Sequence, residues 1–174
     1  MGLSIIREIG PVSVALAFAG RVGSGISSEI GSMVLGHQVD VMRVHGISPL
    51  KRLVKPRVLS ALIMLPVLTI LGDALALIGG FYIAVFESTQ SGAFYWMQIS
   101  QIINIESLLL GLSKPILFGY LVACISCYMG LSTKGGAKGL RKTTTEAVVF
   151  STLMIIVSDF LVTKLILFIT RGAG

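Results

Sequence analysis

Charge is scarce in this sequence. Asp, Glu, Lys and Arg make up 13% of the 174 residues, against 54% for hydrophobic residues. Soluble domains average about 25% charged, so a soluble enzyme or a DNA-binding domain is excluded at the outset, and the mean hydropathy of +0.91 describes a membrane protein. Cysteine is equally sparse, with two residues, which excludes a disulfide-stapled secreted domain. Those two, Cys124 and Cys127, form a CxxC in an apolar stretch with no second pair and no histidine cluster, so they are read as small buried hydrophobes rather than a metal or redox pair.

Catalytic signatures are missing too. The chain has no Ser-His-Asp order, no paired catalytic carboxylates and no HExxH. His37 and His45 lie in a loop without a carboxylate cluster. The run TKGGAKGLRKTT lacks the contiguous GK[ST] of a phosphate loop and follows an apolar helix rather than a strand. Arg7 and Glu8 precede the first apolar run, so no signal peptide is expected, and Ile6 breaks the myristoylation pattern. These absences predict a non-enzymatic subunit that binds no cofactor or metal itself.

Apolar runs and glycine are what the chain has in quantity. At about 20 apolar residues per crossing, four segments fit at 9–35, 58–86, 107–131 and 146–170, leaving loops at 36–57, 87–106 and 132–145. The net charge of +6 is concentrated in two of those loops. Arg43, Lys51, Arg52, Lys55 and Arg57 lie in the first, and Lys134, Lys138, Arg141 and Lys142 in the third, whereas the middle loop holds Glu87 and Glu106 and no Lys or Arg. The positive-inside rule therefore places both basic loops on the cytoplasmic side, and the basic charge needs no nucleic acid partner. The fold class predicted is all-α, a single polytopic domain over 1–174 with about four membrane helices.

Within the apolar segments, Asp73, Lys114 and Asp159 are candidates for interior or water-facing positions, because a charge in lipid is costly. Lys164, near a segment end, is expected to snorkel. The first segment carries small residues in two rows at four-residue spacing, Ala19-Gly23-Ser27-Gly31 and Gly20-Ser24-Ser28-Ser32. A face of this kind is a helix-packing seam, with Gly20, Gly23, Ser24, Ser27 and Gly31 at its centre. Arg21 and Glu29 stand two turns apart, too far to pair directly, and are expected to meet neighbouring helices or the interface.

The loop 36–57 predicts a short amphipathic helix from Gln38 to Val44, ended by Gly46 and followed by Pro49. Such a helix is shaped to dock a soluble partner, or to lie among lipid headgroups with Lys51, Arg52, Lys55 and Arg57 on anionic lipid.

Several of these stretches together resemble the MlaE-type permeases, membrane subunits of ABC transporters for phospholipid and related MCE systems. The resemblance is carried by Arg7-Glu8-Ile9-Gly10-Pro11, Ala19-Gly20-Arg21-Val22-Gly23-Ser24, Glu29-Ile30-Gly31-Ser32-Met33, Pro56-Arg57, Gly135-Gly136-Ala137 and Asp159-Phe160. It implies a homodimer enclosing a phospholipid path, an ABC ATPase subunit below that carries ATP and Mg2+, and an MCE-domain protein on the periplasmic side. It makes the helix at Gln38, Asp40, Met42 and Arg43 the coupling element, with His37 and Met42 departing from the family's usual Glu-Gln-x-Asp-Ala-Leu-like stretch. It places Arg7 and Glu8 near the lipid path. Family members carry an interfacial helix and a first membrane helix before this motif, so the chain reads as an N-terminally short form. The location implied is a bacterial inner membrane, or a plastid inner envelope for a plastid protein.

The function expected is that of an ABC permease moving phospholipid, coupled to its ATPase through loop 36–57. A non-transporting scaffold that recruits an ATPase or a lipid-binding protein is the alternative. An ion-coupled transporter resting on Asp73, Lys114 and Asp159 ranks below both, because no inverted repeat stands out.

Overall fold

The computed structural model describes residues 10–86, 97 and 105–172. Among the described residues the chain is helical apart from short turns, with no strand. Helix α1 (Gly10–Phe18), a π-helical turn (Ala19–Gly23) and α2 (Ser24–Leu35) follow one another without a break and are here called the first helix. A short α3 (Gln38–Val44) follows, then a π-helical turn (Leu50–Val54) leading into α4 (Lys55–Phe86). Helices α5 (Ile105–Leu131) and α6 (Gly136–Gly172) complete the bundle.

Local chemistry explains several of the boundaries. Pro11 occupies the first turn of α1, where its missing N–H costs nothing. At the π-helical turn, the Ser24 hydroxyl donates to the carbonyls of Gly20 at 2.6 Å and Arg21 at 3.1 Å, supplying donors where the backbone ladder widens. Gly46, with φ of 73°, closes α3, and the amides of Gly46 and Ile47 donate to the carbonyls of Arg43 and Met42.

The last helix corrects the expected loop 132–145. Gly135 and Gly136 turn the chain at φ of 85° and 70°, and α6 begins at once, ten residues before the apolar run. Thr143, Thr144 and Thr145 each donate a hydroxyl to a carbonyl four residues back, so this polar stretch is helical. Polarity marks where a helix leaves lipid, which need not be where it ends.

Among the described residues three helices are long and apolar enough to cross a membrane, over Leu50–Ile83, Leu112–Leu131 and Gly136–Leu165. The 32 residues of α4 extend about 48 Å, more than the ~30 Å hydrocarbon layer. The first helix is not among the three, since Arg21, Glu29 and its serines and glycines dilute its apolar content, yet it is the fourth rod of the bundle. Its Ala15, Phe18 and Ala19 join Ala61 and Leu65 of α4, Phe118, Val122 and Ala123 of α5 and Ile155 of α6 in one buried cluster.

Burial divides the three spans. Half of the apolar stretch of α5 is covered, against 17% for the span that includes α4 and 11% for α6. Helix α5 is therefore the inner rod, while α4 and α6 present Ile63, Val67, Ile70, Leu153, Ile156 and Leu161 outward. An outward apolar face of this extent is what lipid accommodates and water does not.

Candidate functional site

Helix α3 projects from the end of the bundle where both basic loops lie. Val39 is buried and fixes the helix to the bundle. Val41 and Val44 point outward, 54% and 85% exposed, beside Asp40 and Arg43, which are exposed as well. Asp40 links its neighbours, with His37 Nδ1 at 3.5 Å and Arg43 Nη1 at 3.6 Å. Ion pairs this exposed contribute under ~1 kcal/mol, so their role is to set the pattern of charge on the outward face. Gln38 is exposed and Met42 half-buried. His37 precedes the helix in the left-handed region at φ of 56°, which turns the chain sharply out of α2.

One further contact joins the two helices that hold this hairpin. Arg57 Nη2 of α4 lies 2.9 Å from Glu29 Oε1 of α2, with the arginine side chain largely covered. The contact ties together the helices on either side of α3. Arg21, by contrast, is exposed and makes no ion pair among the described residues.

The two rows of small residues have different surroundings. Ala19, Gly23, Ser27 and Gly31 are buried. A methyl group on Gly23 would meet Ser126 Oγ at 3.0 Å, and one on Gly31 would meet Leu140 Cδ1 at 2.5 Å and Thr133 Oγ1 at 2.7 Å. Gly130 of α5 completes the seam, since a methyl there would meet the Ser27 carbonyl oxygen at 2.9 Å. Gly20 has nothing within 4 Å of such a methyl, Ser24 is half-exposed and Ser32 exposed. The hydroxyls of Ser27, Ser126 and Ser151 are buried without a partner among the described residues.

Deeper in the bundle, Lys114 Nζ donates to Asp159 Oδ1 and to Thr163 Oγ1, both at 2.9 Å. The lysine side chain is 4% exposed and the aspartate 22%. Two segments far apart in sequence thus neutralise each other's charge inside the apolar layer. Asp73 is half-exposed, with Oδ1 buried and unpartnered among the described residues, and is not part of this pair. Lys164 lies over the Phe160 ring, 5.8 Å from its centroid. Arg7 and Glu8 lie outside the described residues. Cys124 and Cys127 are free, and Cys124 lines an apolar cleft of about 350 Å³ with Tyr128, Met129, Phe150 and Met154.

A family model described as Permease MlaE matches residues 1–165. The chain belongs to the MlaE permease family. Its curated relatives include a "Probable ABC transporter permease protein" of Rickettsia typhi, 38% identical over 94% of this chain and 63% of the relative. The "Intermembrane phospholipid transport system permease protein MlaE" of Haemophilus influenzae is 33% identical over the whole chain and 66% of its own length. The chloroplastic "Protein TRIGALACTOSYLDIACYLGLYCEROL 1" of Arabidopsis thaliana is 32% identical over the whole chain and 49% of its own length. The chain thus spans less than two thirds of the length of the Rickettsia relatives.

For an MlaE-family chain, the sequence offered α3 and the small rows directly. The Glu29–Arg57 and Lys114–Asp159 pairs were not read from it, although the rule that a charge in lipid must find a partner was a signal for the second.

Proposed function

We propose that this chain is the membrane permease subunit of an ABC-type transporter that moves phospholipid between membranes. ATP and Mg2+ are handled by a separate ATPase subunit docked on loop 36–57. The observation that carries the reading is the outward face of α3, where Val41 and Val44 stand exposed beside Asp40 and Arg43 on a hairpin held by Glu29 and Arg57. An apolar face ringed by charge on a short helix suits a protein groove, and the basic charge at this end supports a cytoplasmic position for it.

The names of the Haemophilus and Rickettsia relatives support the phospholipid cargo and the ATPase. In this account a second copy of the chain meets the open row of Gly20, Ser24 and Ser28, Arg7 and Glu8 border the lipid path, and an MCE-domain protein receives lipid on the far side. The membrane is a bacterial inner membrane, or a plastid inner envelope, for which the chloroplastic relative is a parallel.

Affinity purification of the tagged chain in mild detergent, with mass spectrometry of what accompanies it, tests this reading. Recovery of an ATPase, an MCE-domain protein and phospholipid is expected. Recovery of an ATPase with no lipid, and no lipid movement on reconstitution, would replace the transporter with a recruiting scaffold.

A further inference from the structure

Between α3 and the first turn of α4's span, the chain forms a recess of about 350 Å³ lined by Gly46, Ile47, Ser48, Lys51 and Arg52. We propose that this recess binds the anionic headgroup of a membrane phospholipid, at a site separate from both the docking face of α3 and any transported lipid.

Three observations carry the assignment. The first is uncompensated charge. Lys51 and Arg52 are exposed and make no ion pair among the described residues, because the acidic groups nearest in the chain are engaged: Asp40 with His37 and Arg43, Glu29 with Arg57. An ammonium and a guanidinium on adjacent residues, beside the Ser48 hydroxyl, supply donors for the oxygens of one phosphate.

Depth is the second. The helix that carries the apolar span begins at Leu50, so Lys51 and Arg52 sit in its first turn, about two turns ahead of the uncharged run that starts at Val58, at headgroup depth. Leu50 and Ile47 are exposed at the same place, 64% and 43%, and offer apolar contact to the glycerol and upper acyl region of the same lipid. A soluble anion would have no use for them.

The third is shape. Gly46 turns the chain at φ of 73°, and a methyl there would meet nothing within 4 Å, so the recess is open on that side. The other basic loop has partly spent its charge, with Lys142 at 3.8 Å from Glu146. Docking of an acidic protein surface is disfavoured because exposed Leu50 and Ile47 stand beside the basic pair, an apolar complement that a lipid uses and an acidic surface does not. The proposal rests on the membrane placement of this loop and does not require that the chain transports lipid.

The test uses the purified chain, with its copurifying partners, in nanodiscs of phosphatidylcholine alone or with phosphatidylglycerol added. Retained lipid is read by native mass spectrometry. The variant K51Q/R52Q changes only exposed side chains, and K134Q/K138Q removes equal charge elsewhere at the same end. The expected result is roughly tenfold weaker retention of phosphatidylglycerol in K51Q/R52Q, since each basic residue near an anionic surface contributes severalfold in affinity, with K134Q/K138Q close to the parent.

Equal loss in both variants would show diffuse attraction and overturn the site, as would no loss in either. Inorganic phosphate displacing all retained phosphatidylglycerol at constant ionic strength would make this a soluble-anion site, and overturn the lipid assignment. Unchanged lipid retention with loss of the copurifying ATPase in K51Q/R52Q would make it a protein contact. None of these results depends on lipid transport, so the proposed function stands or falls separately.

Discussion

On the first helix, two rows of small residues run side by side, and the bundle uses only one of them. Ala19, Gly23, Ser27 and Gly31 are covered by α5, α6 and the turn between them, so closely that added methyl groups on Gly23 and Gly31 would collide with Ser126, Thr133 and Leu140. One residue further round, a methyl on Gly20 would meet nothing within 4 Å among the described residues, and Ser32 is exposed. Side-chain size is alike in the two rows, so size did not decide which was buried. The decision came from the other helices, where Ser126 and Gly130 match the first row in shape. Glycine within a helix costs up to ~1 kcal/mol relative to alanine, and at Gly20 no close packing among the described residues offsets that cost. A surface kept smooth at a cost is consistent with the second copy proposed for it.

The largest expected effect lies on the covered side. Asp159→Ala removes the carboxylate that faces the buried Lys114 ammonium at 2.9 Å, and loss of one member of a buried pair costs ~3–5 kcal/mol. Thermal unfolding in detergent should show a clear fall in midpoint, and replacing both Lys114 and Asp159 with methionine should restore much of it. Next comes Gly130→Leu, which drives a side chain against the Ser27 carbonyl and Ile30; ~1–3 kcal/mol of overpacking is expected, read in the same assay. A smaller effect belongs to the hairpin. Glu29→Arg or Arg57→Glu alone should each cost ~1 kcal/mol or more, because part of the Arg57 guanidinium is buried, and the exchanged pair should recover coupling between ATP hydrolysis and transport.

The smallest effect on the chain itself is expected at the open row. Gly20→Leu should change the stability of the isolated chain by under ~0.5 kcal/mol while abolishing the crosslinks in membranes that a second copy on this row would give. A Gly20→Leu chain that unfolds as readily as Gly130→Leu would erase the distinction between the rows.

Sequence patterning made much of this architecture legible. Helix α3 spans Gln38–Val44 as its caps predicted, because Gly46 and Pro49 act locally. Long apolar runs gave the helices for the same reason. What stayed hidden depends on contacts distant in sequence: which small row is covered, and that Lys114 meets Asp159 or Glu29 meets Arg57. Helix α6 starting at Gly136 was missed for a different reason, since its first turns are polar and hydropathy tracks lipid rather than helix. Arg7 and Glu8 rest on family resemblance alone, as they lie outside the described residues.

Reconstitution of the chain with an ATPase subunit in vesicles, following labelled phospholipid against ATP hydrolysis, would show whether α3 passes the work of the ATPase to a lipid-moving bundle. The parent chain should move lipid only with ATP, and the variant D40A/R43A should lose that movement while keeping the membrane fold and residual hydrolysis. ATP-driven transfer that continues unchanged in D40A/R43A would contradict the account.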